Sequence, residues 1–138
     1  MKVDTIHKFE KAIVWFLNLD GWNLTHTGQE YEAYDAKGTT PKGRECVIEM
    51  KFRKTYYETK MLEVSKYKRL MDLDENIVKI YFVADPNGTY FFWLDGIENL
   101  KSVDKYCPRT TLWGSKKKTK EVYLLDESLA SIVNKYDD

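Results

Sequence analysis

The segment 46–53, CVIEMKFR, alternates in character. Side chains of an extended strand repeat every two residues, so Cys46, Ile48, Met50 and Phe52 fall on one side and Val47, Glu49, Lys51 and Arg53 on the other. A carboxylate and an ammonium then stand together on one strand face. Asp35 shares a face with Tyr31 and Ala33 on the preceding segment. It comes opposite Glu49 if the two segments pair through residues 38–43, GTTPKG. Glu10, one helical turn before Val14, sits at the edge of an apolar helix face and would be a further carboxylate. Hard cations such as Mg²⁺ take oxygen ligands and use one or two protein carboxylates, leaving places for water and phosphate. On that chemistry Asp35 and Glu49 hold the metal, whose bound water is the nucleophile. Lys51 orients that water or stabilises developing negative charge. Without a cation the two carboxylates repel and one pKa rises. The plainer alternative is a set of ordinary charges on a solvated sheet face.

These residues need elements to position them. Ile6, Phe9, Ile13, Phe16 and Leu17 recur at helical spacing over 5–19, with Asp4 as N-cap and Gly21 as stop. Strands are expected over 22–27, 30–37 and 44–53, with a hairpin turn at Gly28-Gln29. The period of 58–73 predicts a second helix, with Met61, Leu62, Ser65, Leu70 and Leu73 inward. Ile77–Ala84 reads as a strand buried on both faces, and Asp85-Pro86-Asn87-Gly88 turns it into a partner over 89–94. Residues 95–106 read as irregular. Strands over 110–113 and 121–125 flank a lysine-rich loop, and Asp126 caps a last short helix ending near Tyr136. Trp15, Trp22 and Trp93 read as core.

The order helix, three strands, helix, strand, with Asp35 on one strand and Glu49-Met50-Lys51 on the next, resembles the PD-(D/E)XK, or restriction-endonuclease-like, nuclease superfamily. The resemblance covers about residues 5–84, and the chain length is similar to that of small phage-borne members. It implies an α/β fold with an α-β-β-β-α-β core, a central mixed sheet flanked by helices. It implies that Asp35 and Glu49 bind Mg²⁺, which Mn²⁺ can replace, with the backbone carbonyl of Met50 as a further ligand. Lys51 is then the catalytic lysine, and Glu10 the acidic residue some members carry on the first helix. The helix after the lysine would send Lys66, or else Tyr67, toward the site. The family's proline before the aspartate is replaced by Tyr34. Acidic-X-Lys triplets also occur at Asp35-Ala36-Lys37 and Glu58-Thr59-Lys60, but the first runs into a turn and the second opens a helix.

Composition narrows the remaining choices. A chain of 138 residues suits one domain, here 1–138, with C-terminal strands and a short helix over 85–138. Four Trp, ten Tyr and six Phe supply a core without disulfides or structural metal. The 22 Lys and Arg balance 22 Asp and Glu, yet a net charge of zero leaves room for a basic nucleic-acid face. Cys46 and Cys107 suggest reduced thiols rather than a disulfide framework. His7 and His26 stand far apart in the chain, with no Cys or His partner, which argues against zinc. No secretory signal is visible and AIVWFL is too short to span a bilayer, so the expected location is cytoplasmic.

Basic residues cluster in two places: Arg53, Lys54, Lys66 and their neighbours, and Lys116, Lys117 and Lys118. Beside a phosphodiesterase site such clusters suit a DNA backbone; alone they would read as solvated faces. Arg109 could donate to phosphate. Tyr56 and Tyr57 could stack on bases, or simply pack. The expected activity is Mg²⁺-dependent endonucleolytic hydrolysis of DNA, with a homodimer where both strands of a duplex are cut. The competing reading is a non-catalytic module on the same fold that binds nucleic acid or protein.

Overall fold

The structure, a computed structural model, describes residues 2–28, 33–108 and 117–137, without the side chains of 106–108 and 117–118. The chain opens with helix α1 (Val3–Leu19) and strands β1 (Asn23–His26), β2 (Ala36–Thr39) and β3 (Glu45–Phe52). Strand β4 (Thr59–Glu63) runs directly into helix α2 (Val64–Met71), and β5 (Val78–Asp85) and β6 (Gly88–Trp93) follow. Strands β7 (Ser102–Pro108), β8 (Lys117–Asp126) and β9 (Ile132–Lys135) complete the described chain, with single 3₁₀ turns at Leu94–Gly96 and Glu127–Leu129.

Six strands form a mixed sheet in the order β1-β2-β3-β5-β6-β9. Only β3 and β5 run parallel in it; they are joined by the crossover through β4 and α2. The remaining pairs are antiparallel. A second sheet, β4-β8-β7, stands beside α2. Alternation along the central strands divides the core between the two faces. Ile48, Met50, Phe82 and Phe91 pack with Val14 of α1 and with Trp22. Val47, Tyr81, Val83 and Tyr90 pack with Leu70 of α2 and with Leu62 and Leu125 of the second sheet. Both faces of β5 are thus covered, as its apolar run required. Fully burying each such side chain contributes roughly 1.5–3 kcal/mol.

Helix α1 starts at Lys2 rather than at Asp4, which lies in the first turn, where a negative charge meets the positive end of the helix dipole. Gly21, at φ 97°, follows the C-cap Asp20 as expected. The buried stripe is Glu10 and Val14, flanked by Ile13 and Leu17, while Phe9, Trp15 and Phe16 are exposed. The expected inner positions Phe9 and Phe16 and the expected core Trp15 are therefore corrected. A carboxylate, Glu10, occupies the inner stripe, which an apolar reading of the helix leaves out.

Three further expectations change. The helix expected over 58–73 is a strand through Glu63 and a helix only from Val64. Burial alternates along β4, with Lys60 and Leu62 inside, so a buried lysine disguised the two-residue period. The end of the stretch 95–106, read as irregular, belongs to β7, and Lys117–Lys120 of the expected loop begin β8. Asp126 does cap a turn, accepting from the Ser128 N–H, but that turn gives way to β9 rather than to a helix. The strand expected over 110–113 lies outside the described residues. Among the described residues no helix is long and apolar enough to cross a membrane.

Strand β2 begins at Ala36, so Asp35 stands in the bend just before it. The Gly38-Thr39 pair belongs to the strand, not the loop. A Cβ at Gly38 would lie 1.9 Å from the Asn23 carbonyl oxygen, so only glycine lets β1 approach this closely. The turn after β2 is tied by Thr40, whose amide donates to the Arg44 carbonyl and whose hydroxyl accepts from the Arg44 amide.

Candidate active site

Ala36 pairs with Ile48 in the β2–β3 register, which brings Asp35 abreast of Glu49. The Asp35 amide donates to the Ile48 carbonyl at 2.8 Å, and its own carbonyl accepts from the Thr27 amide at 2.8 Å. The side chain is fixed as well: its Oδ2 accepts the Met50 N–H at 2.8 Å. In a strand the N–H and C=O of one residue point to the same edge. The Met50 carbonyl therefore faces the edge where Asp35 sits and where β2 pairing has ended.

Glu49 and Lys51 share the face of β3 that carries Val47, opposite the α1 core. Glu49 is 8% exposed. Its Oε1 lies 3.5 Å from Lys66 Nζ of α2, and Lys66 also reaches Glu63 at 4.0 Å. Glu10 projects from α1 and is 4% exposed, and its Oε1 is hydrogen-bonded to His26 Nε2 at 2.8 Å. Asp35, Glu49, Lys51 and Glu10 are thus brought to one place, with Lys66 joining them.

The electrostatics are those of crowded, buried acids only partly offset by Lys66 and His26. Burial raises the Glu49 carboxyl to about 7, and the neighbouring charges of Asp35 and Glu10 add to the rise while Lys66 opposes it. Asp35 is raised by burial, against the Met50 N–H and Lys66. Glu10 is raised by burial and by Asp35, against its bond to His26. Lys51 is lowered to about 8, by burial first and then by the cations of Arg53 and Lys66. A lysine poised near neutrality beside mutually repelling carboxylates is a common mark of a functional site.

Among the described residues, no three His, Cys, Asp or Glu side chains close into a metal cage. A Mg²⁺ site does not require one, since that ion keeps most of its waters. The donor set fits a hard cation: two carboxylates that repel each other, an adjacent backbone carbonyl, and raised pKa values that a cation would relieve.

The other expected residues are more scattered. Arg53 and Lys54 follow directly on β3, with Lys54 exposed. Tyr67 turns away from the carboxylates and packs edge-on to Tyr123 at 5.0 Å, inside the second core. Arg109 and Lys116 lie outside the described residues, as do the side chains of Lys117 and Lys118. Lys120, in the same basic group, pairs with Glu63 at 2.6 Å. His26 is a site residue that the sequence did not reveal. Its ring also meets His7 edge-on at 5.8 Å, although the two are far apart in the chain. The missing signal was the β1–β2 register, which pairs His26 with Ala36 and so sets it beside Asp35.

No family model and no curated protein matches the chain. Among solved structures it is similar to Hjc, a Holliday junction resolvase from the archaeal hyperthermophile Archaeoglobus fulgidus. The TM-score is 0.59 at 13% identity, over 90% of this chain and 93% of that one. The fold is restriction-endonuclease-like. At that identity the likeness is one of fold. The matched protein is archaeal, and the expected likeness to phage-borne members finds no support in it.

Proposed function

We propose that the protein is a metal-dependent nuclease that hydrolyses DNA phosphodiester bonds at Asp35, Glu49 and Lys51. The observation that carries this reading is the convergence of Asp35 and Glu49 beside Lys51 on one sheet face, with both carboxyls raised and the ammonium lowered. Buried like charges cost stability, and a fold needing only a solvated ion pair would not bury them. A restriction-endonuclease-like fold agrees with the reading.

Asp35, Glu49 and the Met50 carbonyl would hold Mg²⁺, with Mn²⁺ able to replace it. Bound there, the ion would supply a more acidic water and charge neutralisation at the phosphate. The chain's own residues do the rest. The Met50 N–H fixes the Asp35 carboxylate through its Oδ2. His26 holds Glu10, which would help to position metal or water. Lys51, desolvated and near its pKa, donates to the phosphate oxygen as charge develops, where a buried donor counts for more than in water. Lys66 favours the ionised form of Glu49, against burial and the neighbouring acids, and holds the carboxylate from α2. Arg53, Lys54, Arg109 and the 116–118 lysines are the proposed backbone contacts. A homodimer would supply the second site needed to cut both strands.

The competing reading is a non-catalytic binding module on this fold. Glu49→Ala separates the two. An enzyme loses cleavage while retaining DNA affinity within a few-fold, whereas a binding module shows no cleavage in the wild type. Gel-shift titration in Ca²⁺ and cleavage in Mg²⁺, on linear, flapped, four-way and single-stranded DNA with RNA competitors, provide both readings.

A further inference from the structure

A cavity of about 370 Å³ lies between the central sheet and the second sheet. Its walls include Arg53, Thr55, Tyr57, Thr59, Met61 and Tyr81. That volume is at the lower end of small-ligand pockets, which run from roughly 300 to 1,000 Å³. Two features tie the cavity to the site. Tyr81 pairs with Glu49 in the β3–β5 register and also lines the cavity. Arg53 lines it too, two residues along the face that carries Glu49 and Lys51, or about 6.6 Å beyond Lys51.

The floor is already satisfied. Lys60 Nζ and Asp85 Oδ2 are 2.8 Å apart and almost fully buried. Lys60 also donates to the Tyr57 carbonyl and lies 4.4 Å and 4.1 Å from the Tyr56 and Tyr90 ring centres. Asp85 Oδ1 accepts from the Asn87 and Gly88 amides. Neither charge is left to seek a charged ligand. The rim differs: Tyr57 is 62% exposed, Arg53 is half-buried, and the Thr55 and Thr59 hydroxyls can donate or accept. An exposed aromatic ring, a guanidinium plane and small hydroxyls over a floor whose buried charges are paired suit a planar heteroaromatic ring. Stacking of this kind tolerates every base.

We propose that this cavity takes one unpaired nucleobase of the DNA, from the nucleotide beside the scissile phosphate, stacked on Tyr57. The inference rests on the nuclease reading and deepens it. The substrate class becomes DNA with an unstacked nucleotide at the cut, such as a branch point or flap, since extruding a base from intact duplex costs a few kcal/mol. Recognition by stacking and shape gives little preference for base identity.

The test uses a four-way junction and a flap, each carrying a single 2-aminopurine, moved one position at a time around the branch. Binding is measured in Ca²⁺ with the full chain. The expected result is a several-fold rise in emission at one position, because that base leaves its neighbours. Thr59→Trp, which fills the cavity from β4, should return that position to the emission of its neighbours. Tyr57→Ala, at an exposed site that cannot threaten folding, should weaken binding roughly 5- to 100-fold for the intact strand and not for one abasic at that position. Equal emission at every position, or an equal loss with the abasic strand, overturns the proposal. Cleavage in Mg²⁺ without a position-specific rise overturns the base pocket alone. A position-specific rise without cleavage overturns the nuclease reading and leaves the pocket standing.

Discussion

If Glu49 is penalised for ionising, removing its charge should stabilise the protein at alkaline pH and only there. Its folded pKa, about 7, lies above the ordinary 4.5, so folding favours the protonated form. The stabilising contribution is complete below about pH 4.5 and is lost as pH rises through 7. A rise of that size corresponds to about 3 kcal/mol. Glu49→Gln removes this penalty, which is already net of the attraction to half-exposed Lys66. The gain at pH 8.5 is about 3 kcal/mol, or roughly 6–12 °C in Tm for a chain of this size. At pH 4.5–5 the two proteins should melt within about 2 °C of each other. The assay is thermal unfolding by circular dichroism in EDTA across that range. Added Mn²⁺ should raise the wild-type Tm at pH 8.5 by several degrees and leave the Gln variant nearly unchanged. A Gln variant no more stable than wild type at pH 8.5 would refute the reasoning, because ionised Glu49 would then carry no penalty.

Lys51, lowered to about 8, should impose an alkaline limb on kcat/KM for DNA cleavage centred near that pH; Lys51→Arg should move the limb above the accessible range, as pH–rate profiles would show. His26→Ala leaves Glu10 without its bond and should weaken Mn²⁺ binding by about 10-fold or more in calorimetry, with His26→Gln recovering part of the loss. Lys60→Met strands the buried Asp85 carboxylate and should cost about 3–5 kcal/mol in urea unfolding, a loss that Lys60→Met/Asp85→Asn partly recovers.

The part of the site legible in the sequence was the part written in two-residue alternation. Glu49 and Lys51 share a face because the β3 pleat repeats every two residues, and the β2–β3 register brings Asp35, in the bend before β2, abreast of Glu49. Glu10 was legible because it sits within a helical period. What the sequence hid was hidden by charge inside the protein. Lys60 and Lys79 are 4% and 1% exposed, held by Asp85 and by Asp95 with the Asp74 carbonyl. Apolar patterning counts both as surface, and at Lys60 this turned a strand into an apparent helix. His26 and the Tyr81–Arg53 side of the cavity depend on long-range pairing, which leaves no local trace.

The most direct measurement is single-turnover cleavage of the best-bound DNA by wild type, Glu49→Ala and Lys51→Ala, each in Mg²⁺ and in EDTA. The account predicts cutting by wild type in Mg²⁺, none in EDTA, and a loss of at least about 100-fold in each variant at unchanged DNA affinity. Cutting that persists in EDTA, or that survives both substitutions, would contradict it.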